Sequence, residues 1–217
     1  MIAALNTSFE APALGIGRDG ELLSVACAPG WPADLADLVT RAFRETGLAP
    51  DAALEGVVVA TGPGRFGSLR GGIAFAKGLA LARRVPLLGV PTAAVVVEAA
   101  RAGDAVVVSP AGRGRWYVAA PSEADRIQLM DADKVVQADL PADLPVAGPV
   151  DANFAEALAE SGRQVRRVNG EVALEALVRL AEWRLREGQG PASLGAQPVY
   201  AAPATRARPW VRGIPHG

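Results

Sequence analysis

The chain has 217 residues, half of them hydrophobic, with a formal net charge of −1, one cysteine and one histidine. That length and apolar share provide for one large folded unit or two small ones, and they exclude both bulk disorder and a basic field for holding nucleic acid. Cys27 alone cannot form an intramolecular disulfide, and His216, on a terminal tail, is badly placed for a nucleophilic triad or a histidine metal site.

No apolar run reaches membrane-spanning length, and the N-terminus lacks a basic segment followed by an apolar core and cleavage site. The sequence therefore reads as a cytoplasmic protein with no membrane association. Lys77 and Lys134 are its only lysines, so its positive charge is almost all arginine.

"MIAALNTS" predicts a first strand. "APALGIGRDGELLSVACA" predicts two more around a turn at Asp19-Gly20, a pair that suits the left-handed residues of a tight hairpin. Pro32 to Thr46 carries Leu35, Leu38, Val39, Ala42 and Phe43 at helical spacing, with Gly47 suited to the helix end. Residues 54–60, "LEGVVVA", form a continuous apolar run expected of a buried strand. A glycine-rich loop and a helix to about Arg83 follow, then a strand at "LLGV" and a helix from Pro91 to Arg101. The pattern restarts after Ala102–Gly103: two strands around "GRGR", weaker strands at 126–130, 134–138 and 144–147, and a short one at Val165–Val168. Helices are expected at Asp151–Ser161 and Glu171–Glu187. This repetition predicts α/β architecture in two lobes, 1–102 and 103–190, with the last helix free to pack back on the first lobe and a loosely ordered tail over 191–217.

The loop "TGPGRFG" contains G-x-G-x-x-G at Gly62, Gly64 and Gly67. A dinucleotide site also needs an acidic residue about twenty positions on, and the next strand, "PLLGVP", ends without one. Pro63 removes a backbone donor that a phosphate cradle would use, and no Gly-Lys-Ser/Thr follows. The motif thus argues against bound nucleotide, and Asn6, Gly62 and Gly64 are only weak candidates for one.

The helix after the loop is apolar nearly all round. Leu69, Ile73, Ala76 and Ala80 form one stripe, expected on the sheet, while Gly71, Ala74, Gly78 and Ala82 lie behind it with Phe75 and Leu81. Arg70 and Lys77 supply the polar edge. Two glycines inside a helix cost about 1 kcal/mol each relative to alanine, which a close-packed neighbour helix would offset. That neighbour belongs either to the same chain or to another protein, and the pattern leaves both open. Elsewhere, Arg113 and Arg115 form either a solvated hairpin tip or a nucleic-acid hook, Trp116-Tyr117 suits a packed strand, and Arg206, Arg208, Trp210 and Arg212 make a basic tail.

Read together, "ALNTS", "DGEL", "GPGRFGSLRGGIAFAKGLA" and "PLLGVPT" resemble the TsaB (YeaZ) family over the first hundred residues. "SPAGRGRWYVA" and "AQPVYA" extend the resemblance more weakly. The resemblance implies an actin-like ATPase fold of the sugar kinase, Hsp70 and actin superfamily, with two βββαβα-type sub-domains. It further implies a non-catalytic scaffold or activator subunit for TsaD in synthesis of threonylcarbamoyladenosine in tRNA. TsaD would be the heterodimer partner, the ATPase TsaE would join the pair, and tRNA would be met only indirectly through the complex. The family joins TsaD through a helical bundle, which turns the open question about the helix toward another protein. It implies an interface of Leu35, Leu38, Arg70, Gly71, Ala74, Phe75, Lys77, Gly78, Leu81 and Ala82, with a homodimer through the same surface in isolation.

The sequence also departs from that family. Asn6 stands where the family has an aspartate, a neutral amide that offers a cation less than a carboxylate does; its simplest use is to bond a turn backbone. "APGWPADL" replaces a His-Ser-Glu segment, Arg65 and Gly67-Ser68 replace Ser and Thr-Gly, Pro110 replaces an aspartate, and Ala201–Ala202 replaces Leu-Arg. These losses of polar groups imply no catalytic residue, no metal and no cofactor, with ATP or ADP binding doubtful. The rivals are a residual ATP-binding enzyme of the same fold and a homodimer that has lost the ancestral role. A metallopeptidase is disfavoured by the lack of any histidine before His216.

Overall fold

The computed structural model describes residues 1–49, 51–120, 127–187 and 196–197. Its elements follow in the order β1 (Ile2–Asn6), β2 (Ala13–Arg18), β3 (Glu21–Cys27), α1 (Leu35–Glu45), β4 (Gly56–Ala60), α2 (Phe66–Arg83), β5 (Leu87–Val90) and α3 (Thr92–Ala100). The second half repeats that order: β6 (Val106–Gly112), β7 (Arg115–Ala119), β8 (Ile127–Asp131), α4 (Ala132–Gln137), β9 (Val146–Gly148), α5 (Ala152–Glu160), β10 (Val165–Arg167) and α6 (Gly170–Arg186).

Each half builds a five-stranded sheet, ordered β3-β2-β1-β4-β5 and β10-β9-β6-β7-β8, so the two have the same topology. In both, the first three strands form an antiparallel meander and the last two join parallel to the first strand. Two hairpin turns make the meanders possible. Asp19-Gly20 and Arg113-Gly114 all have positive φ, the paired left-handed conformation of a two-residue turn whose twist matches its strands.

Side chains of β1 alternate between two cores, Ile2 and Ala4 to one face, Ala3 and Leu5 to the other, and β4 does the same with Val58 and Ala60 against Val57 and Val59. Both faces are covered, which is why these strands read as continuous apolar runs. On one face lie α1 and α2, through Leu38, Phe43, Leu69 and Ile73. On the other lies α6, through Leu174, Leu177, Val178 and Leu180, together with α3. A third core joins α4 and α5 to the second sheet through Val135, Phe154 and Leu158. The last helix thus packs against the first sheet. Arg179 Nε donates to Glu98 Oε1 of α3 at 2.8 Å and Arg184 Nη1 to the Gly89 carbonyl of edge strand β5 at 3.0 Å.

Helix starts follow local chemistry. Asp34 Oδ1 accepts from the N–H groups of Ala36 and Asp37, Asp151 Oδ1 from Phe154, and Asn169 Oδ1 from Val172. The Asp34 cap sets the start of α1 at Leu35 and leaves Pro32 outside. One element differs in kind from expectation: 134–138 is not a strand, because α4 occupies Ala132–Gln137. Val135 is the one side chain of this segment that must be buried, and a single helical turn achieves that while pairing Asp131 with Lys134 at 3.0 Å.

Candidate functional site

The loop of residues 61–65 connects β4 to α2 and is packed shut. Thr61, Gly62, Pro63 and Gly64 are buried. The Gly62 N–H donates to Thr92 Oγ1 at 3.0 Å, and the Thr92 N–H returns a bond to the Gly62 carbonyl at 2.8 Å. At Gly64 an added Cβ would lie 2.8 Å from the Ser8 backbone, so glycine here permits two chain segments to touch. One loop donor is thus committed within the chain, Pro63 lacks another, and Gly64 is pressed on Ser8.

Asn6 ends β1 beside this loop and is buried. Its Oδ1 accepts from the Ser8 N–H at 3.0 Å and from Ser8 Oγ at 2.6 Å, a local turn of the kind asparagine forms readily. Its Nδ2 and the neighbouring Thr7 Oγ1 have no hydrogen-bond partner. Gly72 of α2 packs directly on the Thr7 side chain, where a Cβ would overlap Oγ1. The glycines of the loop and of the inner helix face therefore do the same thing: they bring α2 against the β1–β2 connection.

The outer face of α2 is different. Arg70, Ala74, Gly78, Leu81 and Ala82 are exposed, Leu81 by 70 % of its surface, and a Cβ on Gly78 would meet nothing within 4 Å. Phe66, which lies on the same i, i+4 row, is 58 % exposed. It falls in the interval between the expected helix start at Leu69 and the actual start, so sequence reasoning missed it; its place one turn before Arg70 was the available signal. Phe75 and Lys77 are half-buried at the border. Gly71 lies under the indole of Trp31, whose ring a Cβ there would overlap, so the chain itself fills that part of the groove. Leu35 and Leu38 are corrected as interface residues: both are turned into the chain's own core with Ala42 and Phe43, and neither presents an exposed side chain to another protein.

Between the lobes lies an open cleft of about 720 Å³, bounded by Phe9 and Glu10 after β1, by Arg65, by the β6–β7 hairpin and by the starts of α5 and α6. Arg113, Arg115 and Trp116 line it. Trp116 stacks on Phe154 with ring centroids 4.6 Å apart, so its ring belongs largely to the second lobe's core. The cleft's acids are Glu10, Asp151 and Glu171, and the Asp151 carboxylate already caps α5. Among the described residues no group of three or more His, Cys, Asp or Glu side chains is gathered to hold a metal ion. Cys27 also lines the cleft; partial burial raises its thiol pKa above the usual value, with nearby Arg41 opposing the shift. No helix among the described residues is long and apolar enough to cross a membrane. Arg206, Arg208, Trp210, Arg212 and Ala201–Ala202 lie outside the described residues.

Comparison with solved structures gives the fold. YeaZ from Pseudomonas aeruginosa superposes with a TM-score of 0.66 over 92 % of this chain and 98 % of that one, at 24 % identity. The ethanolamine utilization protein EutJ from Carboxydothermus hydrogenoformans superposes with a TM-score of 0.54 over 81 % of this chain and 88 % of that one, at 14 % identity. The fold is thus the actin-like ATPase fold in the form that YeaZ adopts. Among curated sequences, the tRNA N6-adenosine threonylcarbamoyltransferase of Nitratidesulfovibrio vulgaris is 57 % identical over 48 residues, 22 % of this chain and 13 % of that enzyme. Its counterpart from Trichlorobacter lovleyi is 31 % identical over 109 residues, 42 % of this chain and 32 % of that enzyme. The chain thus spans a third or less of the curated relatives it matches. The model of the family "TsaD: tRNA N6-adenosine threonylcarbamoyltransferase" matches residues 31–169. By that match, which takes in well over half of the sequence, and with the YeaZ fold around it, the chain belongs to the TsaD family.

Proposed function

We propose that this chain is a non-catalytic, TsaB-type subunit that docks on a TsaD-type protein through the outer face of α2 and supports formation of threonylcarbamoyladenosine in tRNA. The single observation that carries this reading is the state of α2: its inner face is packed on the first sheet, while its outer face, largely apolar, is uncovered among the described residues, with Leu81 70 % exposed. A soluble monomer gains nothing from leaving such a face in water, and a second helix laid over Ala74 and Gly78 would approach closely. The commitment of the 61–65 loop to internal hydrogen bonds, and an amide at Asn6 bonded to Ser8, support a subunit without its own phosphate chemistry. TsaE would join the assembled pair, and tRNA would be met through it.

The test is assembly. Co-expressed with the TsaD-type protein of its own genome, the chain is expected to co-purify through an interface of about 1,600 Å² in total, and to restore modified adenosine in cells depleted of their own TsaB. Ala74→Trp and Gly78→Trp, both on exposed positions, should abolish co-purification with unchanged thermal unfolding of the isolated chain. Normal binding by both variants would refute the α2 interface. The second reading, a residual ATP-binding protein, draws on the 720 Å³ cleft and its arginines; tight ATP–magnesium binding by calorimetry, with turnover, would replace the scaffold reading by that one.

A further inference from the structure

Among the described residues the backbone passes between the lobes twice, where α3 runs on into β6 and where β10 runs on into α6. On that side the lobes share a core, in which Val107 and Ala147 of the second sheet meet α3 and α6. The cleft side is held by less. Ser109 Oγ of β6, 1 % exposed, donates to the Pro63 carbonyl at 3.5 Å, a long bond. Three residues farther along β6, Gly112 lies under the side chain of Arg65. A Cβ there would stand 3.6 Å from Arg65 Nε and 4.0 Å from its Cγ, so the arginine stem runs over the hairpin backbone. Arg65 Nη1 in turn faces Glu10 Oε1, on the connection between β1 and β2, at 4.0 Å. Three loops from two lobes thus converge on one guanidinium.

The root of that side chain is fixed. Arg65 precedes α2, and its carbonyl accepts from the Leu69 N–H at 3.0 Å and from Ser68 Oγ at 3.2 Å. In the sequence it is a departure, an arginine where the resembling family has serine. The fold implies a metal-bound nucleotide between the lobes, a ligand that would itself bridge them, and the residues here do not fit that group. Asn6 offers an amide whose oxygen is bonded to Ser8, Pro110 has no ligating side chain, and among the described residues no three His, Cys, Asp or Glu side chains gather. Arg65 adds a fixed positive charge beside Glu10, which disfavours a second cation there.

We infer that Arg65 is a latch built into the chain: lying over Gly112 and facing Glu10, it closes the cleft side of the hinge and holds the two lobes at one spacing without a bound ligand. Arg113 and Arg115, on the same hairpin, are exposed, so solvent and salt weaken their repulsion of the Arg65 guanidinium. With the Arg65 side chain 42 % exposed and the pair at 4.0 Å, the tie is a weak one, which sets the size of the effect expected. The inference is independent of the α2 docking role, because the Arg65 side chain turns to the second lobe and the measurement below reads lobe spacing rather than assembly.

The test uses the full-length chain with Cys27→Ser, which leaves no native thiol. Glu45→Cys on α1 and Glu156→Cys on α5, both at exposed positions and one in each lobe, carry spin labels, and pulsed dipolar spectroscopy gives the distance distribution between them. With Arg65 in place a single narrow distribution is expected, unchanged by ATP and magnesium. Arg65→Ser is expected to add a longer-distance population, raising the open fraction about two- to fivefold. An unchanged distribution in Arg65→Ser would overturn the inference, and so would a distribution that moves on addition of ATP and magnesium while Arg65 is present. Circular dichroism controls for folding. Should Arg65→Ser not fold, Glu10→Gln, a change at an 82 % exposed side chain, replaces it with the same two outcomes.

Discussion

Two glycines in one helix have opposite duties. At Gly72 a Cβ would overlap the buried Thr7 hydroxyl, whereas at Gly78 it would meet nothing within 4 Å. Replacing glycine by alanine inside an exposed helix normally stabilises by about 0.5–1 kcal/mol, and Gly78→Ala should do so in the isolated chain. Gly72→Ala should instead lose about 1–3 kcal/mol, because overpacking against Thr7 outweighs the gain in helix propensity. Urea unfolding of the two variants checks both signs; stabilisation by both would refute the close packing at Thr7. The sequence shows both glycines as breaks in a helical pattern. It does not show which one meets a neighbour, since Thr7 lies far along the chain and the contact is set by the fold. The same holds for Trp31, legible as an aromatic before α1 and illegible as the ring that covers Gly71. Asn6 was more transparent, because an Asx turn is closed within two residues and needs no distant partner.

Among the elements, those with a strict period were the most legible. Continuous apolar strands and the Asp19-Gly20 turn follow directly from alternation and left-handed turn chemistry. In 134–138 two adjacent valines suggest a strand, whereas burial of Val135 alone is satisfied by one helical turn. For α2 the stripe of Leu69, Ile73, Ala76 and Ala80 marks the face that packs on the sheet, but nothing in the pattern tells that α1 turns Leu35 and Leu38 inward. The link between α3 and α6 gives a prediction at this scale. Glu98 and Arg179 are 17 % and 25 % exposed and share a 2.8 Å bond, so Arg179→Ala leaves a largely buried carboxylate without its donor. A loss of about 1–3 kcal/mol is expected, and Glu98→Gln, which keeps an acceptor, should lose less. Equal stability of Arg179→Ala and wild type in urea would show that the pair does not join the helices.

At the scale of the whole molecule, the two lobes repeat one topology but do not close separately. Burial of Leu174, Leu177, Val178 and Leu180 against the first sheet is worth about 6–12 kcal/mol, which is comparable to the total stability of an ordinary domain. A chain cut at the lobe seam after Ala102 should therefore fail to fold, and one cut before Gly170 should also lose cooperative unfolding by circular dichroism. Supplying α6 as a separate peptide is expected to bind and rescue the latter in part; a stable, cooperative fragment of residues 1–102 would refute this. The repeat was readable in the sequence as a restart after Gly103, while the crossing of α6 was only one option the sequence left open. That crossing also has a consequence for synthesis. The helix that seals the first sheet leaves the ribosome after the strands of both lobes, so the nascent protein carries bare aliphatic strands until residues 170–186 have emerged. It is thereby a natural client for chaperones that shield growing chains.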